Sequence, residues 1–220
     1  RLARVLVRYS IGARPGQTVG VSGGALAEPL MVRIYEALLE AGCFPVLRMV
    51  PDDLAPLFYT RGKPAHFTTL TAFEKAYART VDATIRIYAE GNTRALTGTD
   101  PRKQVAWTRT MKPAMDILRR KPWVLTLYPT SAYAQDAEMS LPEFEDFVYA
   151  ATFADEDDPI RAWRSHAQIQ ERLVVRLRGA DKIRIVGEDT DLTMSVKGRT
   201  FINSDGRHNM PSGEIFTGPV

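Results

Sequence analysis

Four short apolar runs, rich in β-branched and aromatic residues and separated by helical patterns, constrain the fold of this chain most. They are Thr18–Ser22, Phe44–Val50, Ala83–Tyr88 and Trp123–Leu127. Between the first two, Leu30, Ile34, Leu38 and Ala41 recur at helical spacing over Glu28–Ala41, and Gly42 marks the stop. Leu2–Tyr9 reads as an opening helix ending near Gly12. Ala65–Thr80 reads as one helix before the third run. Asp100-Pro101 has the form of a helix start, an N-cap residue followed by proline in the first turn, and that helix runs towards Arg120 with a bend expected at Pro113. Strands that alternate with helices connect by crossovers, so the predicted architecture is α/β, a mainly parallel sheet with helices on both faces.

The pattern changes after the acidic run Asp155-Glu156-Asp157-Asp158. Asp158-Pro159 starts a further helix in which Ile160, Trp163, Ala167, Val174 and Leu177 fall roughly on one face, and Gly179 ends it. Short strands then follow without helices between them. Ile183–Val186 is one. In the next, Leu192, Met194 and Val196 alternate with polar residues, and Lys197-Gly198 turns into Thr200–Asn203. We therefore expect an N-terminal α/β domain over residues 1–158, and a linker helix with the β-rich beginning of a second domain over residues 159–220. Strands of that second piece are expected to leave apolar faces uncovered.

Composition excludes several functions. Of 220 residues, 45% are hydrophobic and 25% charged, as in a water-soluble globular protein. The net charge of +3 is small and evenly spread, which argues against a nucleic-acid partner. No apolar run approaches the roughly 20 residues of a membrane span, and the start shows no signal-peptide pattern. The single Cys43 excludes an internal disulfide and suits a reducing compartment. A cytoplasmic setting is expected.

The segment richest in chemical information is Asn209-Met210-Pro211-Ser212-Gly213-Glu214-Ile215-Phe216-Thr217-Gly218-Pro219. Pro fixes φ and Gly permits unusual values, so such a stretch holds a defined backbone around one carboxylate. From composition alone it is equally consistent with a surface turn that carries an exposed glutamate. Other constellations are weaker. Gly20-Val21-Ser22-Gly23-Gly24 sits between a strand and a helix, where α/β proteins bind phosphate, yet it matches neither glycine-rich phosphate motif. A tight turn is the alternative. Ser22 lacks a hydrolase elbow, and Cys43 beside a buried strand reads as core packing. The acidic run 155–158 suits a solvated linker that caps the next helix. Glu143, Glu145 and Asp146 lie at a helix start, where the dipole favours negative charge. His66 and His166 read as surface or packing residues. His208 lies close enough in sequence to share a loop with Glu214, or it faces solvent.

The stretch from Gly187 to Pro219 carries Thr190-Asp191-Leu192, Gly198-Arg199, Asn203-Ser204-Asp205-Gly206, Asn209-Met210-Pro211 and Gly213-Glu214 before a Phe-Thr-Gly-Pro tail. In order and spacing these resemble the motifs of the metallo-aminopeptidase family of aminopeptidase T and aminopeptidase S. The opening helix, the Pro15-Gly16 turn, Ala41-Gly42 and the Asp158-Pro159 to Trp163 segment are similar to it more loosely. The resemblance implies an enzyme that removes N-terminal residues from peptides with two divalent metal ions (zinc, cobalt or similar), acts as a homodimer, and uses Glu214 as a metal ligand. It further implies that Pro211 and Gly213 turn the Glu214 carboxylate inward, that Ile215 and Phe216 anchor it on apolar packing, and that the remaining ligands lie beyond this chain, which alone would be inactive. A phosphate-binding module at Gly23-Gly24 and a non-catalytic assembly domain are the competing readings.

Overall fold

The structure, a computed structural model, describes residues 1–218. Pro219, the end of the Phe-Thr-Gly-Pro tail, and Val220 lie outside the described residues. The chain opens with α1 (Leu2–Arg4), which passes directly into a π-helical turn, Val5–Ser10. The expected opening helix is thus present in span, with a changed hydrogen-bonding period. Val5, Leu6 and Val7 are all buried, so the segment is apolar on more than one side and lies inside the fold.

β1 (Thr18–Gly24) runs two residues further than the sequence suggests and leads through a short 3₁₀ turn into α2 (Glu28–Glu40). Leu30, Ile34 and Leu38 of the predicted stripe are buried in α2 with Met31 beside them, and Ala41 is buried just past the helix end. β2 (Phe44–Val50) follows. Next comes α3 (Leu54–Arg61), which the sequence did not reveal: it carries Pro56 within its first turn and buries no residue. The expected helix over Ala65–Thr80 is two helices, α4 (Pro64–Thr68) and α5 (Ala72–Thr80). The break has a local cause. Thr71 adopts extended backbone geometry, and its hydroxyl accepts the Glu74 N–H at 3.3 Å, capping a new helix. β3 (Ala83–Tyr88), α6 (Pro101–Leu118) and β4 (Trp123–Leu127) complete the expected alternation, and α6 continues through Pro113. α7 (Ser131–Asp136) and α8 (Leu141–Ala151) follow. Ser140 and Glu143 cap α8 reciprocally, so Glu143 has a structural task.

α9 (Pro159–Leu177) is capped by Asp158, whose carboxylate accepts the Arg161 N–H at 3.0 Å. The acidic run therefore ends as a helix cap and is otherwise exposed. β5 (Lys182–Gly187) and β6 (Thr190–Ser195) pair antiparallel. Three short strands finish the described chain: β7 (Ile202–Ser204), β8 (Asn209–Met210) and β9 (Glu214–Phe216), with β7 antiparallel to β9.

The main sheet has the order β2-β1-β3-β4-β8, and every pairing in it is parallel. An α/β sheet flanked by helices and followed by antiparallel strands is the predicted fold class. The last strand of the sheet was not foreseen. Asn209 and Met210 pair with Leu125 and Thr126, and the Leu125 N–H donates to the His208 carbonyl at 2.7 Å. Met210 is 1% exposed. Two residues are too few for a strand pattern to be visible in sequence.

The core is continuous from the opening turn through β1, β3 and α2 to Trp163 of α9. Trp163 is 1% exposed, stacks on Tyr9 at 6.3 Å, and meets the edge of Phe153 at 5.1 Å. Its indole N–H donates to the Thr152 carbonyl at 2.8 Å. Exposed Val186, Leu192, Ile169, Leu173 and Ile202 lie on the antiparallel strands and α9, so apolar surface does remain uncovered there. Truncating Trp163 to Ala should remove both packing and hydrogen bond. A stability loss of about 3–5 kcal/mol is expected, read as a lowered urea midpoint. A change below roughly 1 kcal/mol would show that α9 docks without this residue.

Candidate functional site

The loop that carries Glu214 is built from its backbone outward. The β7–β9 ribbon pairs Asn203 with Ile215 and Ser204 with Glu214. The Gly213 N–H donates to the Ser204 carbonyl at 3.0 Å, and the Ser212 hydroxyl donates to the same carbonyl at 2.8 Å. The Ser204 and Ser212 hydroxyls lie 2.7 Å apart. The ends of the loop that leaves the ribbon at Ser204 are thus tied together by the two serines. Inside the loop, β8 is clamped to the main sheet.

Alternation along β9 decides which side chains emerge. Successive residues of a strand point to opposite faces. Asn203, cross-strand from Ile215, donates its amide to the Ala167 carbonyl at 3.0 Å and to the Glu171 carboxylate at 3.2 Å, so that face lies on α9. Ile215 is half-buried, while Glu214 and Phe216 are exposed on the other face. Among the described residues Phe216, 45% exposed, gives the loop no anchor, and the Glu214 side chain stands on the open face of the ribbon, the expected inward turn of the carboxylate being one of the complete enzyme. Hydrogen bonds hold the loop instead.

The platform beneath is α9. The Gln170 amide N–H donates to the Glu214 carbonyl at 2.7 Å. Gln170 is 6% exposed, and its amide oxygen has no partner. His166 packs edge-on against Trp163 and Phe153, each at 5.9 Å, in keeping with a packing role. Above it, Gly213 has φ +116°, and a Cβ there would stand 2.9 Å from His166 Nε2. Both the backbone geometry and the close ring reserve this position for glycine. A third tie comes from the opening turn: the Tyr9 hydroxyl donates to the Asp205 carbonyl at 2.7 Å, and Asp205 pairs with Arg207 at 3.3 Å.

The other candidates sit elsewhere. His208 lies against Trp123, ring centroids 4.7 Å apart, at the edge of the main sheet. His66 accepts the Lys63 N–H at 2.8 Å through Nδ1, a helix-start contact. Cys43 is buried, its thiol donating to the Arg14 carbonyl, and burial raises its pKa. At Gly23-Gly24 the space is taken. A Cβ on Gly24 would meet the Ala89 carbonyl at 3.0 Å and the Asp52 carboxylate at 3.3 Å, both of which repel an anion. A cleft of about 380 Å³ opens near Leu30, Arg33, Tyr128 and Tyr149, away from Glu214.

The Glu214 carboxylate accepts no hydrogen bond and forms no ion pair among the described residues, which leaves both oxygens available to a cation. The donor set stops there: among the described residues no group of three or more His, Cys, Asp or Glu side chains is placed to hold a metal. One free carboxylate fits a single ligand of a metal site, not a complete one. Among the described residues no helix is long and apolar enough to cross a membrane.

The α/β sheet agrees with the comparisons to known proteins. A family model described as thermophilic metalloprotease (M29) matches residues 1–220, and the chain belongs to that family. It is 25% identical to aminopeptidase 2 of Geobacillus stearothermophilus over 249 aligned positions, covering all of this chain and 60% of that protein. It is 28% identical to aminopeptidase T of Thermus thermophilus, over 66% of this chain and 44% of that one. The solved structure of wild-type AmpT from Thermus thermophilus superposes with a TM-score of 0.80 at 21% identity, over 99% of this chain and 60% of that chain, a likeness of fold. The chain thus spans about 60% of the length of the first of these relatives. The family implies divalent metal ions in the full enzyme.

The Tyr9 tie gives a pH dependence. Burial, and then the neighbouring Asp205 charge, push the Tyr9 phenol up to about 12. An unfolded tyrosine loses its proton near pH ~10. Between those values the folded chain holds a proton that the unfolded chain has lost, so stability falls as pH rises through that window. Unfolding midpoints measured from pH 9 to above 11 should decline for the parent and decline less for Tyr9→Phe. Equal slopes would exclude Tyr9 as the group responsible.

Proposed function

We propose that this chain is the N-terminal part of a metal-dependent aminopeptidase that hydrolyses N-terminal residues from peptides, with Glu214 as a metal ligand shared between two divalent ions. The observation that carries this reading is a carboxylate free of protein partners on a backbone held by Gln170 at Glu214 itself and, just before it, by the bonds of Ser212 and Gly213 to the Ser204 carbonyl. A ligand must be fixed near its productive position and yet remain unspent in other contacts. Membership of a metalloprotease family supports the same reading.

Divalent ions supply Lewis acidity and an activated water at neutral pH. This chain's own part is to present Glu214. Its two oxygens can each serve one cation, and its charge offsets part of theirs. Gly213 lets the backbone pass over His166, and the Ser204–Ser212 closure holds the strand on which the carboxylate stands. We further propose that residues 1–158 form the N-terminal α/β domain and that 159–220 begin the catalytic one. The outward face of the β7–β9 ribbon would then receive the other ligands. The complete enzyme would be a cytoplasmic homodimer that takes peptides as substrate, and this chain alone would be inactive.

Glu214→Gln keeps shape and removes charge. In a chain extended to the full length of its relatives, metal content by elemental analysis should fall and release of an N-terminal amino acid from a short peptide should be lost, while the unfolding midpoint moves little. In the 220-residue chain the substitution should change neither metal content nor stability appreciably. Full peptidase activity of the extended Glu214→Gln protein would overturn the assignment. Stoichiometric metal and robust activity in the short chain would overturn the claim that its ligand set is incomplete. For assembly, sedimentation of the extended chain across a concentration range should show a dimer; a strict monomer would count against the homodimer.

A further inference from the structure

We propose that Gln170 is a positioning residue for the Glu214 carboxylate: its amide, rooted in α9, holds the Glu214 main chain so that the side chain meets a divalent ion at a fixed depth. The inference rests on the reading of Glu214 as a ligand.

Three observations carry it. Gln170 occupies the buried stripe of α9 together with Trp163 and Val174, where an apolar residue would be the ordinary filling. Its amide is half used: the N–H donates to the Glu214 carbonyl at 2.7 Å while the oxygen stays buried without a partner. Methionine would fill the same space but would leave the Glu214 carbonyl without its donor, so packing alone does not account for glutamine. One turn earlier on the same helix, His166 lies directly under Gly213. Consecutive residues of the loop, Gly213 and Glu214, therefore rest on positions i and i+4 of a single helical face. Their placement is inherited from α9, and α9 is itself fixed to the main core through Trp163. Groups that orient a ligand without touching the metal commonly change metal affinity by about 10–100-fold when removed.

The test uses the chain extended to the full length of its relatives, stripped of metal, and titrated with cobalt(II) while its visible absorption is followed. Variants are Gln170→Met, Glu214→Gln and the double substitution; Gln170→Leu repeats the test if the methionine variant is poorly soluble. Gln170→Met should bind cobalt at least about 10-fold more weakly, with an altered band, while its metal-free melting temperature stays within about 3 °C of the parent. Added to Glu214→Gln, it should cause no further loss, because Gln170 acts only through that carboxylate. Parental affinity and spectrum in Gln170→Met, with Glu214→Gln weakened, would overturn the inference and leave the ligand assignment standing. An equal loss in both backgrounds would make Gln170 merely structural and would also overturn it. Parental affinity in Glu214→Gln would remove the ligand assignment and this inference together.

Discussion

The seating of α9 on the main core depends on the burial of one indole. Trp163 sits between Tyr9 and Phe153 and gives its N–H to Thr152, so it is both packed and hydrogen-bonded. A buried aromatic with its polar atom satisfied is among the larger single contributions that a side chain makes to a core. Because the helix is rigid, docking one residue fixes the direction of all its turns. His166, Ala167, Gln170 and Glu171 then stand where the short strands β7 and β9 can reach them. The β8 pairing adds a second attachment, inside the loop itself, by running Asn209 and Met210 beside β4. The candidate site is thus referenced to the main sheet twice, through α9 and through β8, and not only through its own ribbon.

The contrast between the two regions is one of mechanism. Residues around β1, β3 and α2 are held mainly by apolar burial, which is strong but not directional. The Glu214 loop sends Met210 into that core, while its ends are held by directed bonds between serines, amides and carbonyls. Directional bonds suit a place where position matters more than total stability. They also explain why the loop tolerates an exposed Phe216: that ring adds nothing to the internal bracing.

Legibility in the sequence follows the same division. β1 to β4 and α2 are visible because they are apolar runs or repeat apolar residues at helical spacing, although β2 is an edge strand with no buried residue. The break at Thr71 was missed although Thr71 and Glu74 have capping spacing, because the apolar pattern on either side looked continuous. α3 was missed for lack of any buried face. In the candidate site, the Gly213-Glu214 pair was found through its motif, but its supports were not. Gln170 left one readable trace, a polar residue at the position where the Trp163–Val174 stripe calls for an apolar one. The outward turn of Glu214 depends on the register between β7 and β9, and no single strand encodes that. Tyr9, nearly 200 residues away in sequence, gave no local sign of its contact with Asp205.

The exposure of Glu214 has a thermodynamic consequence on the proposed reading. A carboxylate left in water carries no desolvation penalty, so the chain can reach its fold without a metal. This differs from small zinc domains, whose folding energy is metal binding itself. The penalty arises only when the outer face of the ribbon is covered, since a carboxylate removed from water is strongly destabilised unless paired. Covering that face and binding cations must therefore proceed together: the segment that excludes water also has to bring positive charge or the ligands that recruit it. A backbone already fixed by Gln170, Ser204 and Ser212 lowers the ordering cost of that step, because only the Glu214 side chain is left to settle.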